Sequence, residues 1–354
     1  MYIATVGRAF PPHYADQDAL IAAFRAAWSA RYHNVGRIEQ LHRNVLVGGR
    51  HLALPIDQYL GLRGFTDAND AFVRVGTDVG AAAVTDALGC AGLTPRDVDA
   101  IWFVSVTGVA APSIDARLVN RLGFRPDIKR TPIFGLGCVA GAAGVARVSD
   151  YLRGFPDHVA LLLSVELCSL TLQKEDLSIP NLIASGLFGD GAACVVMAGE
   201  RRAERMSLTG RAPYVVATRS VFYPDTEGVM GWNIGSEGFK IVLSAEVPDM
   251  VTRHLRGDVD RFLAGQGLTV ADIRTWVAHP GGPKVLEAMQ TVLELPPGAL
   301  AHTWASLGEV GNLSSASVLM VLRETLAEPP TPGSYGLLLA MGPGFCSELV
   351  LLRW

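Results

Sequence analysis

Apolar positions along this chain fall first into a helical period and then into short runs of β character. Helical spacing opens around Gln17 to Arg43 and returns from Asn69 to Leu88. There Phe72, Val75, Val79 and Ala83 share one face, which predicts a helix with its apolar stripe turned to a core. Beyond it, Ile101 to Val106, Pro132 to Gly135, Val159 to Val165 and Ala192 to Met197 read as strands separated by helices. This alternation predicts a largely buried mixed or parallel sheet with helices on its faces. Met1 to Val6 reads as a first strand: it has no basic segment ahead of it and runs directly into Pro11-Pro12, unlike a signal peptide.

Order repeats along the chain. Gly92-Leu93-Thr94 with Asp97, Val98 and Ile101 is echoed at the same spacing by Gly267-Leu268-Thr269 with Asp272, Ile273 and Trp276. Gly135-Leu136-Gly137-Cys138, leading into a helix of small residues, is echoed by Ser306-Leu307-Gly308-Glu309, leading into Gly311-Asn312-Leu313-Ser314-Ser315-Ala316. Two similar α/β halves are expected, residues 1–205 and 206–354. Ala140 to Gly144 and Ser314 to Ser317 cost helix propensity, so tight burial of two closely approaching central helices is the plain explanation for them.

Composition fits that picture. At 354 residues, 49% apolar and 18% charged, the chain exceeds a single core and has material left for a buried subunit interface, so a homodimer is expected. A net charge of -4 with interspersed signs offers no basic stripe for a phosphate backbone, which argues against nucleic acid as a partner. No apolar run is long enough to span a bilayer. Five cysteines, odd in number and without paired spacing, argue against a disulfide framework and a metal site and for a reducing cytoplasm.

Three residues carry candidate chemistry. Cys138 follows Phe134-Gly135-Leu136-Gly137, where a strand ends, glycines turn and a helix starts; helix N-terminal N–H groups there favour a thiolate and would lower the thiol pKa. A buried structural cysteine is the alternative. His279 ends the apolar run Trp276-Val277-Ala278 and precedes Pro280-Gly281-Gly282-Pro283, which neither sheet nor helix can continue through, leaving the ring at an edge where a pocket forms. Asn312 sits at the first turn of the second small-residue helix, where it could equally be a helix cap. The repeat sets Cys138 and Asn312 at related helix starts, so the three converge on one site. A thiolate, an imidazole and a carboxamide suit acyl transfer: the cysteine takes an acyl group as a thioester, and two neutral donors stabilise an enolate left when a malonyl thioester loses CO2.

Phe-Gly-Leu-Gly-Cys138 followed by Val139-Ala140-Gly141, His279-Pro-Gly-Gly-Pro, Gly311-Asn312-Leu-Ser-Ser and Met341-Gly342-Pro343-Gly344-Phe345 together resemble the type III polyketide synthases, the chalcone and stilbene synthase family. The resemblance implies a thiolase-type αβαβα fold, a homodimer, CoA thioesters as substrates, and no metal or bound cofactor. It implies Cys138, His279 and Asn312 as the catalytic three and Phe188 as one gatekeeper, with Ile241 at the second gatekeeper position and Phe239 two residues before it. It places Cys168, Thr171 and Gly344 around the substrate cavity, and Ala111 in a loop reaching the partner's cavity. Gly281, Lys284 and Arg43 stand where CoA is bound. Pro126 to Ser169 and Leu307 to Trp354 look most similar to actinobacterial enzymes that extend long-chain acyl-CoA. The smaller wall residues Cys168 and Ala111 then suggest a long aliphatic starter, extended with malonyl-CoA or methylmalonyl-CoA and closed as an alkylpyrone.

Alternatives stay open. The same family closes chains as alkylresorcinols, and a fatty-acid-initiating β-ketoacyl synthase shares the residue set but would want a basic patch for an acidic carrier protein. Cys before His before Asn is also the order of papain-like thiol hydrolases, whose flanking sequence differs from this one. A silent acyl-binding subunit would be expected to lack the nucleophile, which is present here.

Overall fold

The computed structural model describes residues 1–29 and 34–354. In chain order the first half runs β1 (Tyr2–Ala9), β2 (His13–Asp16), α1 (Gln17–Trp28), α2 (Val35–Asn44), β3 (Gly49–Leu52), α3 (Phe65–Ala91), β4 (Ala100–Ser105), α4 (Ile114–Leu122), β5 (Lys129–Phe134), α5 (Ala140–Gly154), β6 (Val159–Leu167), α6 (Ile179–Leu187), β7 (Asp190–Ala198) and α7 (Glu200–Arg205). The second runs β8 (Tyr214–Phe222), β9 (Met230–Gly235), β10 (Gly238–Leu243), α8 (Val247–Ala264), β11 (Ile273–Ala278), α9 (Pro283–Val292), α10 (Ala301–Val310), α11 (Ser317–Ala327), β12 (Tyr335–Gly342) and β13 (Cys346–Arg353). The helical stretch read over Gln17 to Arg43 resolves into α1 and α2, and its middle lies outside the described residues.

Among the described residues the main sheet has nine strands in the order β11-β12-β13-β8-β1-β7-β6-β4-β5. It is mixed: β4 pairs in parallel with β5 and β6, and β11 with β12, while the other pairings are antiparallel. A single pair, Tyr2 with Tyr214, joins the two halves at β1 and β8. β6 and β7 are buried along their whole length, which is why they read as continuous apolar runs.

Three apolar clusters divide the body into layers. One packs Phe72, Val75, Val79 and Ala83 of α3 against β4, β6 and β7. Another packs α8 and α9 against β11, β12 and β13. Between the sheet halves lie α5 and α11, whose residues share a cluster with the inner faces of both. This is the αβαβα arrangement. The central helices do approach closely: a Cβ at Gly141 would stand 2.3 Å from the Ser315 carbonyl oxygen, so only glycine fits.

The first repeat is a repeat of construction. Leu93 N–H donates to Leu88 O and Leu268 N–H to Leu263 O, each closing a helix. Thr94 and Thr269 then form reciprocal caps with Asp97 and Asp272, and a strand follows in each half. The second echo is out of register. Ser306 to Glu309 lie inside α10, and the counterpart of the short 3-10 turn Gly137–Val139 before α5 is Ser314–Ala316 before α11. Gly137 (φ 59°) and Ser314 (φ 48°) hold the same left-handed position in the two turns. Asn312 therefore sits two residues ahead of the turn rather than within the helix.

Candidate active site

Cys138, His279 and Asn312 line one cavity of about 560 Å³. Each arrives from a different element. Cys138 lies in the turn after β5, with its Sγ 3.7 Å from the Ser314 hydroxyl. His279 follows β11, and its N–H is fixed to Leu339 O of β12. Asn312 follows α10.

The carboxamide of Asn312 is oriented by its own backbone. Ser314 N–H donates to Oδ1 at 2.8 Å, and Nδ2 donates to the carbonyl oxygen of Gly281 at 3.5 Å, which leaves its second N–H for a ligand. Cap and donor are thus one residue: the oxygen satisfies the turn, and the amino group is the donor. The imidazole of His279 is 3% exposed, and among the described residues neither ring nitrogen has a hydrogen-bond partner. Leaving a buried polar group unpaired costs about 1–3 kcal/mol, so an imidazole held this way is reserved for something that enters.

Burial sets the protonation of both groups. It pushes the Cys138 thiol up to about 12, with only partial relief from the Ser314 contact, and the buried carboxyl of Glu166 acts in the same direction. This corrects the expectation of a lowered thiol pKa: the turn is too deeply enclosed for the helix end to prevail. Burial also lowers His279 to about 4. At rest the two groups are a thiol and a neutral imidazole.

Phe188 forms a wall between this cavity and a second, apolar pocket of about 100 Å³. Cys168, Thr171 and Ile241 line the apolar pocket rather than the cavity at Cys138. Phe239 is buried among the rings of Phe65, Phe134 and Trp232, so Ile241 is the residue of β10 that faces the pocket.

The remaining expected residues divide. Gly281 and Lys284 line the mouth of the larger cavity. Arg43 does not: its guanidinium lies at the surface against Asp18 and Glu39, and Arg37 of the same helix lines the cavity instead. Met341 and Phe345, rather than Gly344, contribute the lining from the Met341–Phe345 segment; a Cβ at Gly344 would meet Phe222 at 2.9 Å. Ala111 is exposed and lines neither cavity of its own chain.

Two residues of the site were not among the candidates read from the sequence. Ser314 reaches Cys138, and Trp232, paired across from Ile241 in β9, lines the apolar pocket. Glu166 falls one residue past the apolar run Val159 to Val165 and lies in β6. Its carboxyl accepts from Val106 N–H at 3.1 Å, Thr107 Oγ1 at 2.8 Å and Ser315 Oγ, tying the loop after β4 to the turn that carries Ser314. Among the described residues no group of three or more His, Cys, Asp or Glu is arranged to hold a metal ion, and no helix is long and apolar enough to cross a membrane.

Residues 2–201 match the family described as chalcone and stilbene synthases, N-terminal domain, and residues 214–354 match its C-terminal domain. The chain is 54% identical to a 1,3,6,8-tetrahydroxynaphthalene synthase of Streptomyces peucetius subsp. caesius, over 99% of this chain and 93% of the relative. It is 35% identical to a putative chalcone synthase of Bacillus subtilis, over 100% of this chain and 98% of the relative. Among solved structures, the 1,3,6,8-tetrahydroxynaphthalene synthase of Streptomyces coelicolor superposes with a TM-score of 0.92 at 30% identity, covering 100% of this chain and 99% of that one. With its layered fold and a Cys, His and Asn on one cavity, the chain belongs to the chalcone and stilbene synthase family and is a type III polyketide synthase, a transferase that performs Claisen-type condensation.

Proposed function

We propose that Cys138 carries the growing acyl chain as a thioester while His279 and Asn312 hydrogen-bond the carbonyl oxygen of an incoming malonyl-CoA. Loss of CO2 leaves an enolate on that oxygen, and its carbon attacks the Cys138 thioester. The tetrahedral intermediate then expels the Cys138 sulfur and leaves a chain longer by two carbons on CoA. Return of the chain to Cys138 starts the next round. One positioned donor of this kind is worth about 2.7–4 kcal/mol of barrier. Gly281, Lys284 and Arg37, which line this cavity, are the groups proposed to meet the CoA arm. The working unit is a homodimer in which Ala111 presents its loop to the partner's cavity, and each chain is built from a half carrying Cys138 (1–205) and a half carrying His279 and Asn312 (206–354).

The reading of the product rests on the apolar pocket behind Phe188, which at about 100 Å³ is small beside the catalytic cavity of about 560 Å³. Phe24, Tyr59 and Trp232 help to close it. Such a pocket suits a short starter. Together with the 54% identity to a tetrahydroxynaphthalene synthase, it supports an aromatic polyketide assembled from malonyl-CoA alone, 1,3,6,8-tetrahydroxynaphthalene or a close relative. The skeleton of that compound divides entirely into two-carbon units, which malonyl thioesters supply.

A second reading, a long-chain acyl-CoA starter closed as an alkylpyrone, draws support from the pocket's lining, where Leu20, Ala23, Ala27, Leu52 and Ile56 offer apolar surface to an aliphatic tail. Mass spectrometry of products from malonyl-CoA alone, and from malonyl- or methylmalonyl-CoA with acyl-CoA starters of rising length, separates the two. A hydroxylated naphthalene from malonyl-CoA alone supports the first reading. Alkylpyrones from long starters, with nothing aromatic from malonyl-CoA alone, overturn it. Every extended product should vanish in Cys138→Ala.

A further inference from the structure

Arg50 is among the largest fully buried side chains, 2% exposed, and it lines the apolar pocket behind Phe188 rather than the catalytic cavity. From β3 its guanidinium reaches the last turn of α6: Nη1 donates to Gly186 O and to Gln17 Oε1 at 3.3 Å, and Nη2 donates to Ser185 O. Gln17 reinforces the hold, donating from Nε2 to Gly186 O at 3.1 Å and to His42 O at 2.8 Å. His42 closes the cluster, with Nε2 3.1 Å from Ser185 Oγ and its ring packed so tightly on Gly186 that a Cβ there would stand 2.8 Å from it. The terminal carbonyls of a helix need donors and favour a cation, and here a buried one supplies both.

The residues just past α6 give the clamp its consequence. Phe188 is the wall between the two cavities. Asn312 N–H donates to Leu187 O at 2.9 Å, and Gly189 N–H donates to Asn312 O at 3.0 Å. Gly189 in turn lies against Arg50 itself: a Cβ there would be 3.1 Å from Arg50 Cβ. The segment from Ser185 to Gly189 is therefore held at its start by the Arg50 guanidinium and passes close to the Arg50 stem at Gly189, while its middle carries Phe188 and is bonded to the backbone of Asn312.

We propose that Arg50 is a positioning residue that fixes Phe188 and Asn312 together, so that one buried guanidinium sets both the donor geometry for decarboxylation and the partition between catalytic cavity and apolar pocket. This rests on the reading of Asn312 as a donor to malonyl-CoA. A displacement on the ångström scale in such a group costs up to about a hundredfold in rate.

The test uses the full-length protein with Arg50→Lys, and Gln17→Met as the milder variant should the first not fold. Asn312→Ala runs beside them. Four quantities are read: unfolding temperature, alkylation of Cys138 by iodoacetamide, kcat and KM for acetyl-CoA release from malonyl-CoA, and the distribution of extended products. We expect the folded variant to keep its alkylation rate while kcat falls roughly ten- to a hundredfold with KM little changed, and the products to shift in length. Native kcat and native products in a folded variant overturn the proposal. Turnover lost only in step with the unfolded fraction also overturns it, because that is stability alone. If Asn312→Ala itself decarboxylates normally, the reading of Asn312 fails; if only the Arg50 and Gln17 variants do, the positioning role fails alone.

Discussion

Phe188 and Asn312 are joined by a parallel backbone bridge, through hydrogen bonds from Asn312 N–H to Leu187 O and from Gly189 N–H to Asn312 O. The wall of the apolar pocket and the amide that faces the catalytic cavity are thus one piece of structure, although they lie in different halves of the chain. A shift of either strand of the bridge is felt by the other.

The protonation of the Cys138 and His279 pair gives a pH signature. His279 is held at about 4 by burial, so it is a neutral base throughout the usual range, and the thiol at about 12 does not ionise by itself there. We predict a flat rate of Cys138 alkylation by iodoacetamide between pH 6 and 9. In His279→Ala the rate should instead climb with each pH unit, since only spontaneous thiolate then reacts. A native rate that climbs in the same way contradicts base assistance by His279.

Trp232 and Ile241 face each other across β9 and β10 and both line the pocket behind Phe188. Trp232→Ala removes the largest of these walls. We predict a shift of starter preference toward longer acyl-CoA, at least several-fold in relative kcat/KM, measured by competition between short and long starters. Unchanged preference would mean that starters do not enter this pocket.

Gly141 tests the central layer. Since an added Cβ would stand 2.3 Å from the Ser315 carbonyl oxygen, Gly141→Ala must push α5 and α11 apart. Overpacking of this kind costs about 1–3 kcal/mol. Urea unfolding should report that loss, and catalysis should fall with it, because Ser314 and Ser315 lie in the turn that would move.

Stability should depend on pH through two opposed sets of buried groups. Burial raises Glu166 to about 7 from 4.5 and Asp190 to about 6 from 3.8, so the folded chain holds protons that the unfolded chain has released, and stability falls as pH rises through that window. His42 and His279, both lowered to about 4 from 6.5, work the other way: the unfolded chain binds the extra protons, so their contribution grows as pH rises from 4 to 6.5. Glu166→Gln removes one falling contribution. Its deficit against the native chain should shrink between pH 5 and pH 8 in urea unfolding; a deficit that widens contradicts the raised carboxyl.

Much of this site was legible in the sequence because its cues are local. A glycine turn before Cys138, a Pro-Gly-Gly-Pro stop after His279 and the Gly-Asn-Leu-Ser-Ser segment each announce a break in regular structure, and breaks at strand and helix ends are where side chains meet. The first repeat was legible for the same reason, since each Thr–Asp cap spans four residues. What the sequence hid is settled across distance. Ser314 takes a left-handed turn position that the first half gives to Gly137, which no neighbouring residue signals, and so the second echo falls out of register. The thiol pKa depends on enclosure by elements far apart in the chain. Arg43 looked like a cation for phosphate, yet Glu39 one turn earlier in α2 and Asp18 from α1 occupy it. The pocket's size depends on Trp232, which lies in a hairpin that no motif marks.

Release of acetyl-CoA from malonyl-CoA, compared among the native chain, Cys138→Ala and Asn312→Ala, tests the division of labour most directly. We predict that Cys138→Ala still decarboxylates malonyl-CoA while making no extended product, and that Asn312→Ala loses decarboxylation about a hundred- to a thousandfold, as removal of one oxyanion donor does. Normal decarboxylation by Asn312→Ala, or extended products from Cys138→Ala, would contradict the assignment of enolate stabilisation to Asn312 and chain carriage to Cys138.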